Sequence, residues 1–254
     1  MINNMFKAVT AAALILGCSA VQATIVEVKT NLGSFEINLF DQSTPVTVEN
    51  FLTYTNAERF NNTVIHRSVP GFVIQGGGFK FEQQLPLKAT TTNAAIVNEP
   101  KWSNVRGTIA MAKLGGQPNS ATNQWFINLN NNAANLDKQN SGFTVFGQVN
   151  AQGMEVIDAM AALARFDFPA TQDLPLQNYT TADRDNNKPL VASNFITIES
   201  ITVVDASPNT DANVTKVPTT ASSNNNPAVI NSGSTGLISI FALMLLAIRR
   251  WGMK

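Results

Sequence analysis

The sequence holds one cysteine and one histidine in 254 residues, and only 13% of it is charged. Cys18 alone cannot close an intrachain disulfide, and the same shortage excludes a zinc site of the Cys/His type, so no metal site is expected. Seventeen basic residues offset seventeen acidic ones. No global field therefore draws in nucleic acid or steers an ionic ligand. What is abundant is hydrophobic: 44% of the chain, enough for one sizeable core. With so little charge the surface must be rich in Asn, Thr and Gln, which suits an exported protein.

The N-terminus points the same way. Lys7 gives a short positive start, residues 8–17 are apolar apart from Thr10, and Val21-Gln22-Ala23 offers small residues where a signal peptidase reads. The apolar run is too short to span a bilayer. Residues 1–23 are read as a signal peptide, with a mature start at Thr24. The alternative, a lipobox at Ile15-Leu16-Gly17-Cys18 with Cys18 lipidated, fits poorly at Leu16.

Residues 24–205 carry the pattern of one folded domain. Phe35, Ile37 and Leu39 alternate with polar residues after a turn at Asn31-Leu32-Gly33, the signature of a half-buried strand. Thr44 reads as an N-cap with Pro45 at the first helical position, and Val48, Phe51 and Leu52 supply the apolar face of the helix. Further strands are expected near 63–66, 72–75, 108–112, 124–128, 144–149 and 194–204. A second helix is expected over 154–163, with Val156, Ile157 and Met160 on one face. Many short strands with two helices argue for an all-β, closed antiparallel barrel. Residues 165–190 lack periodicity and read as a long surface loop.

Beyond 205 the composition shifts. Residues 206–235 are rich in Ser, Thr, Asn and Pro and read as a disordered polar linker. Residues 236–248 are apolar except for Ser239, and Arg249, Arg250 and Lys254 form a basic end.

One stretch carries chemical information: Val64-Ile65-His66-Arg67-Ser68-Val69-Pro70-Gly71-Phe72-Val73-Ile74-Gln75-Gly76-Gly77-Gly78. Two strands are joined by a Pro-Gly turn, and one arginine stands among apolar residues. The glycine triplet fails the GxGxxG spacing and precedes no helix, so it reads as a tight turn and not a phosphate loop. His66 has no Ser or Cys nucleophile motif beside it and reads as a hydrogen-bonded structural residue. By pattern alone Arg67 is no more than a strand arginine.

This stretch resembles the cyclophilin signature F-H-R-x-x-P-x-F-x-x-Q-G-G, with Ile65 in place of the Phe. Residues 30–57, including Thr44-Pro45-Val46-Thr47-Val48-Glu49-Asn50-Phe51, resemble the family's first hairpin and helix. Gly107-Thr108-Ile109-Ala110-Met111-Ala112 is similar to its next core strand, Ser120-Ala121-Thr122-Asn123-Gln124-Trp125-Phe126-Ile127 to its S-x-x-S-Q-F-F-I segment, and Val145-Phe146-Gly147-Gln148-Val149 to V-F-G-x-V. The motifs occur in the family's order and cover most of 24–205.

The resemblance implies a closed eight-stranded antiparallel barrel capped by two α-helices, with peptide bound in a groove on its outside. It implies peptidyl-prolyl cis-trans isomerase activity on X–Pro segments of unfolded or flexible polypeptides, without cofactor. Arg67 matches the catalytic arginine and Gln75 the glutamine that bonds the substrate backbone. Phe72, Val73, Phe126 and Leu136 match the wall around the substrate proline, Ala112 and Gln124 the groove for the preceding residues, and Phe143 the place of a histidine or tyrosine. Asn135 stands where many members carry a tryptophan, which argues against tight cyclosporin binding. Lys113 replaces a common asparagine, which is harmless if only the main chain is used. The polar patch Ser232-Gly233-Ser234-Thr235-Gly236, the apolar run and the basic end resemble a bacterial C-terminal sorting signal, with membrane or sorting-protease contact through the tail. The expected protein is a monomer outside the inner membrane, periplasmic or at the cell surface. Two rivals stand beside the enzyme: a proline-peptide binding or chaperone module with little turnover, and a structural cell-surface spacer.

Overall fold

The computed structural model describes residues 24–207 and 210–220; the expected signal peptide, the end of the linker and the apolar tail lie outside the described residues. The order of elements is β1 (Ile25–Thr30), β2 (Gly33–Leu39), α1 (Pro45–Asn56), β3 (Thr63–Val64), β4 (Arg67–Val69), β5 (Val73–Gly76), β6 (Phe79–Lys80), β7 (Lys88–Ala89), β8 (Thr108–Met111), β9 (Trp125–Asn128), α2 (Ala133–Leu136), β10 (Val145–Val149), α3 (Ala151–Ala161), β11 (Ala164–Phe168), β12 (Thr171–Leu176), α4 (Thr181–Asp185) and β13 (Thr197–Asp205).

Eleven strands pair antiparallel into one curled sheet, in the order β4-β5-β9-β8-β10-β2-β1-β13-β3-β6-β7. The chain is thus mostly β, but no ladder joins β4 to β7 to make a closed eight-stranded barrel. Ile65 and His66 link β3 to β4; the Ile65 N–H donates to Ile196 O at 2.9 Å and the His66 N–H to Gln75 O at 3.1 Å. Alternation of side chains divides the sheet into two faces. Ile74, Ile109, Ile127 and Phe146 point into the main core with Phe35, Ile37 and Phe51, while Val73, Ala110, Phe126 and Val145 form a separate cluster on the other face.

The helices adjust the sequence reading. Pro45 does open α1, but the Thr44 hydroxyl donates to Phe40 O at 3.2 Å and caps nothing. The cap comes from Glu99, whose carboxylate accepts the Thr47 N–H at 2.9 Å, because the helix start is packed against the 99 loop. In α3 the Asn150 side chain accepts from Gly153 N–H at 2.7 Å, and Met154, Ile157 and Met160 are buried while Val156 is only half-buried. Beside these two helices stand the short α2 and α4, so the count exceeds the expected pair among the described residues.

The expected loop at 165–190 is a folded accessory unit. β11 and β12 form a hairpin followed by α4, which carries a Thr180–Asp183 capping box. Phe166, Leu174, Leu176 and Tyr179 bury themselves with Val64 and Phe195 in a third cluster. The apolar residues were too sparse for a period, yet each anchors against the sheet.

Residues 210–220, expected as part of the disordered linker, run back over the domain. Ser103 N–H donates to Val217 O at 2.8 Å, Thr219 N–H to Lys101 O at 3.0 Å, and Thr220 N–H to Asp137 at 3.0 Å. Polar composition hid this strap because backbone and hydroxyl hydrogen bonds hold most of it. Among the described residues no helix is long and apolar enough to cross a membrane.

Candidate active site

Register builds the site. Arg67 on β4 stands directly opposite Gln75 on β5, Gln75 opposite Phe126 on β9, Phe126 opposite Ala110 on β8, and Ala110 opposite Val145 on β10. Directly paired residues share a face, so this is one row across four ladders. Gln75 Nε2 donates to Gln124 Oε1 at 2.9 Å, and Ala112 N–H to Gln124 O at 2.9 Å, which brings the expected groove residues to the polar side of the row.

Phe72, Val73, Ala112, Phe126, Leu136 and Phe143 meet in the apolar cluster beside it. The Phe126 and Phe143 rings meet edge to face at 5.7 Å between centroids, a favoured aromatic geometry. Phe143 N–H donates to Leu136 O at 3.0 Å, tying α2 to that wall. All nine residues singled out from the sequence therefore fall on one face.

The glycines explain how the chain turns here. Gly71 has φ +64° in the turn between β4 and β5, a conformation that favours glycine. At Gly77, φ is +85° and a Cβ would lie 2.6 Å from Asn123 O and 2.8 Å from Trp125 Nε1. The triplet is a close crossing of the chain over β9, in keeping with a tight turn.

The family model for "Cyclophilin type peptidyl-prolyl cis-trans isomerase/CLD" matches residues 25–181. The chain belongs to the cyclophilin family. It is 39% identical over 173 residues to a peptidyl-prolyl cis-trans isomerase of Acinetobacter baylyi, covering 67% of this chain and 89% of that one. It is also 39% identical over 155 residues to peptidyl-prolyl cis-trans isomerase B of Escherichia coli, covering 59% and 91% respectively. A crystal structure of a Cryptosporidium parvum cyclophilin type isomerase, in the presence of dipeptide ala-pro, superposes with TM-score 0.50 at 21% identity, over 71% of this chain and 99% of that one. The protein is an enzyme, a cyclophilin-type peptidyl-prolyl cis-trans isomerase, and the rival readings as a binding module or spacer give way to this.

The electrostatics of the cyclophilin face are uneven. Burial pushes the Arg67 guanidinium below its ordinary range, and Asp173 pulls it back up. An arginine remains charged through such a shift. Burial pushes Lys113 down to about 8. Its side chain is not idle: Nζ donates to Asn140 O at 2.9 Å and Gly142 O at 2.6 Å and lies 4.8 Å from the Phe143 ring centre. Lys113 thus holds the loop behind Phe143, a role unforeseen when only its main chain was considered. His66 is fully enclosed, and burial pushes it down to about 4, helped by the neighbouring Arg67 charge and opposed by hydrogen bonding. Its ring packs edge-on to Phe79 at 4.8 Å. A buried neutral imidazole agrees with the structural role expected of it.

Two participants escaped the sequence. Asp173, on the accessory hairpin, places Oδ2 3.8 Å from Arg67 Nε. Asp137, after Leu136, is fully buried and accepts from Ser103 Oγ, Asn104 N–H and Nδ2, and Thr220 N–H and Oγ1 at 2.7–3.1 Å. Burial works to raise its pKa, but these hydrogen bonds outweigh it and hold the carboxyl below the usual range. The pattern Leu-Asp-Lys gave no hint of that network.

Proposed function

We propose that the row from Arg67 to Phe126 is the catalytic groove, that Arg67 performs the isomerisation, and that the clients are exported polypeptides. The supporting observation is the register: a single guanidinium directly opposite a glutamine and two strands away from a buried aromatic wall. Rotating an X–Pro bond breaks amide resonance against a barrier of about 18–20 kcal/mol. No covalent bond is made or broken, so neither nucleophile nor cofactor is called for. In the twisted state the prolyl nitrogen becomes pyramidal and gains a lone pair. A guanidinium can donate to that lone pair, whereas the planar amide nitrogen scarcely accepts, so the interaction favours the transition state over the ground state. Phe126, Phe143, Leu136, Phe72 and Val73 seat the ring, Gln75 bonds the substrate backbone, and Ala112 with Gln124 takes the residues before proline. An acceleration of about 10⁵ needs roughly 7 kcal/mol. A charge-assisted hydrogen bond in a water-poor site, with ring burial and orientation, is of that order.

We read residues 63–69 as one strand that pairs β13 with its first half and β5 with its second, closing an eight-stranded barrel through the chain itself. Export rests on residues 1–23 and on the low charge of the surface. The apolar tail 236–254 is assigned to transient membrane retention, then cleavage near 233–236 and release or transfer to the cell surface, with the isomerase acting as a monomer outside the inner membrane. Two measurements test this reading. Turnover of an X–Pro peptide should be lost on Phe126→Ala and on Arg67→Ala in folded protein. Mass spectrometry of the native chain should find Thr24 as the first residue and no Lys254; a chain running from Met1 to Lys254 rejects the export route while leaving the groove intact.

A further inference from the structure

We propose that the accessory hairpin β11–β12 is a positioning device for the isomerase centre, and that Asp173 holds the Arg67 guanidinium in its working orientation. The inference rests on the reading of Arg67 as the catalytic group.

The hairpin is built to present this one side chain. Asp173 has φ +52°, a left-handed conformation uncommon outside glycine but tolerated by aspartate. It lies where the pairing of β11 with β12 shifts register between Phe166 and Phe168. Such bulges re-aim a side chain, and they recur beside active sites. The strained turn is fastened on the other strand, since the Asp167 carboxylate accepts the Asp173 N–H at 2.9 Å. The next residues lock it from the other side: Leu174 is 0% and Leu176 1% exposed, both in the cluster with Phe195 and Val64. A rigid anchor, a bulge and a carboxylate aimed at the groove's one guanidinium form a single device.

The contact geometry suits positioning more than neutralisation. At 3.8 Å from Nε, the carboxylate lies beyond hydrogen-bond length, so it does not consume a donor. The Arg67 side chain is 12% exposed and that of Asp173 39% exposed. Attraction across a partly wet gap is modest, but it biases a side chain with several rotatable bonds towards one arrangement. The effect should therefore appear in kcat and not in substrate binding.

The test compares wild type, Asp173→Asn, Arg67→Ala and the double variant by exchange NMR on an X–Pro peptide. Asparagine keeps the left-handed backbone and the N–H to Asp167 and removes only the charge. Asp173→Asn should lower kcat about threefold to tenfold, with KM within about twofold and the melting temperature unchanged. On the Arg67→Ala background the same change should have no further effect. A kcat at or above wild type for Asp173→Asn overturns the proposal, as does an equal fractional loss on the Arg67→Ala background. Wild-type turnover by Arg67→Ala would overturn the reading of Arg67 and this proposal with it.

Discussion

Replacing Asp137 by asparagine tests how firmly the proposed proline wall is held. The carboxylate accepts Asn104 N–H and Nδ2 on Oδ1, and Ser103 Oγ, Thr220 N–H and Thr220 Oγ1 on Oδ2. An asparagine must put its NH2 at one of these positions. The Oδ1 side faces two obligate donors, so the amide nitrogen takes the Oδ2 side, where two hydroxyls can turn to accept. Only the Thr220 N–H is then stranded, and the other bonds lose their charge assistance. Thr220 is exposed, so water can take that N–H and its loss costs less than the about 1–3 kcal/mol of a buried donor. With the weakened bonds added, Asp137→Asn should destabilise by about 1–2 kcal/mol, or roughly 2–8 °C in a domain of this size. Asp137→Ala strands the buried Asn104 N–H and leaves a void, costing about 3–4 kcal/mol. Because Asn104 Nδ2 also donates to Phe143 O at 3.2 Å, and Leu136 precedes Asp137, KM for a prolyl peptide should rise as well. Urea unfolding and peptide kinetics measure both effects. A change below about 0.5 kcal/mol for Asp137→Asn would refute the account of this network, since that is the range of an ordinary surface substitution.

Other outcomes follow from the same structure. His66 binds its proton more weakly in the folded state, about 4 against 6.5, so stability is complete above pH 6.5 and is lost as pH falls towards 4. That difference corresponds to about 3 kcal/mol; unfolding as a function of pH should show the slope, and His66→Gln should flatten it. Phe126→Ala should cost about 3–5 kcal/mol and most turnover, since the ring is 3% exposed and packs on Phe143; a stable variant with full activity would contradict its placement. Asn135, exposed at the rim beside Leu136, offers no indole, so cyclosporin should inhibit weakly and Asn135→Trp should tighten it; nanomolar inhibition of the natural protein would show the reverse.

Much of the fold was legible because local pattern and final packing agree. The alternation of Phe35, Ile37 and Leu39 with polar residues reads as a strand, and all three side chains enter the main core. Pro45 starts its helix where expected, but the carboxylate that caps the helix comes from Glu99, 52 residues after Thr47. No local rule can reach that far. The hairpin at 164–176 failed to register for a related reason: its apolar residues pack on Phe195 and Val64 and not on a regular face. In the strap at 210–220, main-chain bonds to Lys101 and Ser103 replace the hydrophobic signal on which a sequence reading depends. The proposed groove residues were named through family resemblance, because an arginine in a strand has no chemistry visible in its neighbours alone. Asp173 lay beyond both routes, since only the folded hairpin carries it to Arg67.

Arg67 is proposed to lower the barrier to X–Pro rotation without carrying the fold. The direct measurement is kcat/KM of folded Arg67→Ala against wild type on one X–Pro peptide, with the melting temperature of each. Loss of one transition-state donor should lower the rate by about 10²–10³. The fold should stay within about 1 kcal/mol, because the guanidinium's ion pair with Asp173 is long and partly wet. Wild-type kcat/KM in the folded variant would contradict the mechanism.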